Sequence, residues 1–66
     1  MYIAAKTTDG DTLFWDGVRW TDDPYEAEEY GLMRGNFKMG ELEVEYVDGD
    51  RPAGPWGARI SYIYEA

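Results

Sequence analysis

Three Asp-Gly dipeptides, Asp9-Gly10, Asp16-Gly17 and Asp48-Gly49, divide a chain of 66 residues and constrain its fold more than any other feature. Asp-Gly between β-rich runs is the strongest short-range hairpin signal, because both central residues of a type I′ turn take positive φ. The first two dipeptides define a meander: a strand over residues 2–8, a second over 11–15 and a short third over 18–21. Residues 41–47 (ELEVEYV) alternate strictly, which predicts a strand with Leu42, Val44 and Tyr46 inside and Glu41, Glu43 and Glu45 in water. Residues 58–65 (ARISYIYE) alternate again and place Ile60, Tyr62 and Tyr64 on the core face. Between the meander and residue 41, Asp23 is a good N-cap, Pro24 suits the first helical position, and Glu26 completes an Asp-x-x-Glu capping box. Ala27, Tyr30, Met33 and Phe37 recur at helical spacing as one buried stripe. Gly31 and Gly35 weaken that helix by roughly 1 kcal/mol each, enough to break it into two pieces, and Gly40 ends it. The expected fold is α+β: an antiparallel sheet of four or five strands with one short helical segment packed on it.

A chain of this length buries only about 60% of the surface it exposes when unfolded. With no Cys and no His, it has neither a disulfide nor a zinc site to compensate. Three Trp, six Tyr and two Phe take that role, with Trp15 and Trp20 as core residues. Residues 1–66 are expected to form one domain. The chain shows neither the pattern of a signal peptide nor an apolar run long enough for a membrane span, which places it in the cytoplasm.

The same absences bear on chemistry. Without Cys or His the commonest nucleophile–base pairs cannot be built, and a chain this small hardly encloses the cleft that a carboxylate pair needs. No Gly-rich phosphate loop is present. We therefore expect no enzyme, no catalytic residue and no cofactor. Asp9-Gly10-Asp11 and Asp48-Gly49-Asp50 offer paired carboxylates in turns, but Leu13 and Pro52 stand where a calcium loop needs its next oxygen. Plain turn chemistry accounts for both, and no metal site is expected.

Charge is the informative feature. Fourteen acidic side chains oppose six basic ones, for a net charge of −8. Such an excess argues against direct contact with nucleic acid or anionic membranes and favours a basic partner. The acids fall in two blocks. Residues 9–29 hold eight acids and one base, Arg19, and residues 41–50 hold five acids and no base. Candidate contacts are Asp22, Asp23, Glu26, Glu28 and Glu29 in the first block, and Glu41, Glu43, Glu45, Asp48 and Asp50 in the second. On a strand, the three glutamates of 41–45 would form a ladder at about 6.6–6.8 Å, similar to the charge ladder of a nucleic-acid backbone. A solvated face that discourages aggregation is the alternative. The Pro- and Gly-rich loop 48–57 adds Arg51 and Trp56, residue types enriched at binding hot spots. Trp56 has two open readings, as a contact residue or as a lid on the small core.

Residues 13–30, LFWDGVRWTDDPYEAEEY, combine an aromatic strand, an Asp-Gly turn, a second aromatic, a Thr-Asp-Asp helix start and Ala-x-x-Tyr. This resembles a pattern in short proteins of phages and mobile elements. In size, acidity and lack of catalytic groups the chain resembles the small phage-encoded anti-CRISPR proteins. That resemblance implies an inhibitor that occupies the DNA-binding surface of a host type I CRISPR interference complex; separately, the chain is expected to be a monomer. It carries over no role for any single residue. A cellular interaction module that binds a basic partner, with no immune role, stays open beside it.

Overall fold

The first two Asp-Gly sites do reverse the chain. The computed structural model describes all 66 residues. Strands β1 (Ile3–Thr7), β2 (Thr12–Trp15), β3 (Trp20–Thr21) and β4 (Ile60–Glu65) form one antiparallel sheet in the order β3-β2-β1-β4. One helix packs on that sheet, so the fold is α+β. At both hairpins only the glycine has positive φ, +91° at Gly10 and +102° at Gly17, so neither turn is type I′. The Thr7 hydroxyl accepts from the Asp11 amide at 3.0 Å, and the Asp16 carboxylate accepts from Val18 and Arg19 at 2.8 and 2.7 Å. These side-chain bonds hold four-residue loops in place of two-residue ones. Val18 consequently sits in the second turn, 77% exposed, and β3 is shorter than the sequence suggests. The third Asp-Gly makes no hairpin: Gly49, at φ −79°, terminates a helix.

The helix start at Asp23 gives only one 3-10 turn, Pro24–Glu26. Asp23 caps it as expected, accepting from the Tyr25 amide at 2.9 Å. Glu26 does not close the capping box, because its carboxylate accepts from the Thr21 hydroxyl at 2.6 Å. Beyond it the chain is drawn out along the sheet: the Glu28 amide donates to the Trp15 carbonyl and the Tyr30 amide to that of Met1. Only after Gly31 does α1 (Leu32–Leu42) begin, and it runs through Gly40 into a π-helical turn, Glu43–Asp48.

Residues 41–47 are therefore helical, and the predicted strand is wrong. Gly35, Leu42 and Tyr46 are buried and Met39 packs partly against the core, at spacings of four, three and four. That is the helical stripe facing the sheet. At Gly35 the Met1 side chain packs directly against the helix backbone, and a Cβ there would make it move aside. Val44, assigned to the core by alternation, is 67% exposed, and Met33 and Phe37 are 86% and 73% exposed. The stripe expected from Ala27 through Phe37 thus breaks down: its first two residues precede α1 and its last two face away from the sheet.

In β4 the alternation fails at a bulge. Lys6 pairs with Tyr62 while Thr7 pairs with Ile60, leaving Ser61 extra. A bulge shifts the side-chain period by one. Ile60 and Ile63 both face the core as a result, while Tyr62 is 51% exposed and Tyr64 half-buried on the opposite sheet face. The core joins these isoleucines to Ile3, Ala5, Leu13, Trp15, Trp20, Leu42 and Tyr46. At its centre Trp15 and Trp20 meet edge to face at 5.3 Å, and Trp20 meets Tyr46 at 5.8 Å. Edge-to-face aromatic contacts add to the stabilisation from burial alone.

Candidate interaction surface

Every acid expected to make contact is exposed: Asp22, Asp23, Glu26, Glu28, Glu29, Glu41, Glu43, Glu45, Asp48 and Asp50. Their geometry differs from the expected ladder. On a helical backbone Glu41, Glu43 and Glu45 point in different directions around the axis. The spacing along a strand, and with it the likeness to a phosphate backbone in that segment, does not exist.

The ion pairs separate the two blocks. Glu41 is paired with Lys38 at 3.1 Å, Glu45 with Arg51, and Asp50 with Arg59 at 3.8 Å. All three salt bridges of the protein therefore fall in the second block and use three of its six basic residues. The first block has none. Its only internal base, Arg19, donates its backbone amide to Asp16 and forms no ion pair. Six of the first block's eight acids, Asp16, Asp22, Asp23, Glu26, Glu28 and Glu29, lie on the loops flanking β3 with no ion pair, while in the second block only Glu43 and Asp48 are unpaired.

Those loops are well braced. Asp16, Asp22 and Glu26 border an open depression of about 460 Å³ with Arg19, Trp20, Thr21 and Pro55. The Glu28 side chain lies against Gly17 of the adjoining turn. The amides of Arg19 and Val18 hold the Asp16 carboxyl below its usual range. Asp16 belongs to this surface although residue type alone did not single it out. Its signal in the sequence is the Asp-Gly pair, which marks an Asx-type turn with a fixed carboxylate.

No family model matches the chain, and no curated protein or solved structure matches it.

The loop 48–57 is committed differently from its composition. Arg51 is engaged with Glu45 and sits over the Tyr46 ring, 5.4 Å from its centroid. Trp56 is 57% exposed and is no lid, while Ala53, 1% exposed, takes the inward position. Pro55 brings the loop tip to the rim of the acidic depression, so Trp56 stands next in sequence to that rim. Exposed carboxylates held by a sheet edge, with an aromatic at the margin, suit hydrogen bonding to Lys and Arg side chains.

Proposed function

We propose that this protein binds a basic, nucleic-acid-binding site on another macromolecule through the acidic surface around β3, and inhibits by occluding that site. The target implied by the resemblance in size and charge is a type I CRISPR interference complex, with the protein the product of a phage or mobile element. The observation that supports this reading is the segregation of the ion pairs. An acidic surface serving only solubility has no reason to concentrate all three salt bridges in one block and leave the other bare. Unpaired, exposed charge steers a basic partner and accelerates association. Asp16, Asp22, Glu26 and Glu28 would supply the central contacts, with Asp23, Glu29 and Trp56 at the margin.

Two charge variants with equal change in net charge test the reading against a purified type I interference complex. Asp22→Asn with Glu28→Gln and Glu29→Gln neutralises three unpaired acids of the first block. Glu43→Gln with Glu45→Gln and Asp50→Asn neutralises three acids of the second. The first set should weaken binding at least about tenfold, the equivalent of 1.4 kcal/mol, and the second far less. Equal loss from both sets would reduce the effect to net charge and remove the surface assigned here. Binding outside the DNA site would favour a general interaction module.

A further inference from the structure

The helix carries a second apolar stripe that the fold leaves uncovered. Met33, Phe37 and Val44 are 86%, 73% and 67% exposed, and Gly40 lies between them with open space where a Cβ would stand. Their spacings of four, three and four are those of a coiled-coil seam. The inward stripe of Gly35, Met39, Leu42 and Tyr46 occupies the opposite side of the same helix. A soluble chain that exposes an ordered row of large apolar residues usually covers it with something.

We propose that a second copy of this chain covers it, as an antiparallel helix pair about a two-fold axis. Two features identify the occupant. The first is shape. The seam offers two large knobs toward one end and a gap at Gly40. Antiparallel pairing in register sets Phe37 of one copy into the Gly40 gap of the other and Met33 against Val44. Both contacts occur twice, as a two-fold interface requires. The second is charge. Residues 32–40 carry Arg34 and Lys38 with no acid, while residues 41–48 carry Glu41, Glu43, Glu45 and Asp48 with no base. Antiparallel pairing lays the positive half of each helix on the negative half of the other, and parallel pairing would set like on like. Arg34 and Glu41 are one heptad apart on the same flank of the seam, and equal flanks meet in an antiparallel pair. Arg34 makes no ion pair within its own chain, so it is available to Glu41 of the second copy.

The seam from Met33 to Val44 is only about 16 Å long at 1.5 Å per residue. It falls short of the roughly 800 Å² per partner of a standard interface, so the dimer is a weak one, in the micromolar range or above. The net charge of −8 per copy also opposes association, and its long-range part is screened over about 8–10 Å at physiological salt. This dimer differs from the monomer suggested by the sequence. It does not rest on the acidic surface around β3, and neither charge set above touches Met33, Phe37, Gly40, Val44, Arg34 or Glu41.

Sedimentation velocity at physiological salt, from about 10 µM to about 1 mM, spans the affinities expected of so short a seam. The native protein should pass from monomer to dimer across that range. Phe37→Glu should stay monomeric throughout, with an unchanged far-UV spectrum because Phe37 contributes nothing to the core. Arg34→Glu should weaken the dimer at least about tenfold, and Arg34→Glu combined with Glu41→Arg should restore it. Lys38, released from position 41, then pairs four residues back with position 34. A native protein that remains monomeric at every concentration would overturn the proposal. So would a dimer that survives Phe37→Glu, or one that the charge exchange fails to restore.

Discussion

Replacing glycine by alanine at two positions of the helix should move stability in opposite directions. At Gly40 nothing lies within 4 Å of a new Cβ, so alanine gains only its helix propensity, about 1 kcal/mol. At Gly49 the Cβ would stand 2.6 Å from the Glu45 carbonyl oxygen and 3.0 Å from that of Val44. The φ of −79° is open to alanine, so the cost is steric and not conformational. Reaching an ordinary contact of 3.4 Å requires a shift of about 0.8 Å between Gly49 and the last helical turn. That shift pulls on two bonds, Gly49 amide to Val44 carbonyl at 2.9 Å and Arg51 amide to Glu45 carbonyl at 3.3 Å. At about 0.5–1.5 kcal/mol per bond, Gly49→Ala should cost about 1–3 kcal/mol. A domain of 66 residues has only roughly 3–10 kcal/mol of stability at about 0.05–0.15 per residue, so the loss is a large share. Urea denaturation followed by tryptophan fluorescence, at low micromolar protein, gives both numbers. A Gly49→Ala protein as stable as the native one, or a shift of both variants in the same direction, would refute the steric clash at Gly49.

Trp15→Phe should cost about 1 kcal/mol more than Trp20→Phe in the same assay, because Trp15 loses a bond to the Tyr30 hydroxyl while the buried Trp20 indole N–H has no partner to lose. Equal costs would count against that assignment of bonds. Asp16→Asn should be less stable than the native protein at neutral pH. The folded state lowers the Asp16 pKa, so its contribution is present above the unfolded value of about 3.9 and vanishes as pH falls through the folded one. Thermal unfolding of both proteins at neutral and strongly acidic pH should show the gap close, and a constant gap would contradict it.

Much of the fold was legible because local chemistry and tertiary structure agree at those places. Glycines at positions 10 and 17 supply the positive φ that the turns require, and Trp15 and Trp20 are core residues as expected. Asp23 caps the turn it was expected to cap. The segment ELEVEYV misled for a physical reason. Two helical stripes interleave there: Leu42 and Tyr46 belong to the inward one and Val44 to the outward one, and together they imitate a period of two. Periodicity read over seven residues cannot separate these patterns, whereas residues 33–46 read together would have shown both stripes. The bulge at Ser61 was invisible because it depends on pairing with β1. Exposure of the candidate acids followed from their type. Which of them are neutralised depends on where the loop 48–57 and β4 deliver Arg51 and Arg59, and charge counting along the chain contains no trace of that.

The central claim, that the acidic surface around β3 occupies a nucleic-acid site, is tested most directly by competition. Labelled target DNA and this protein are titrated against one another on a purified type I interference complex at two salt concentrations. The account predicts that saturation with either excludes the other. It also predicts that the protein's affinity drops as salt rises, because exposed charge pairs are screened over about 8–10 Å near physiological ionic strength. Simultaneous binding of DNA and protein, an affinity indifferent to salt, or no binding to the complex at all would contradict it.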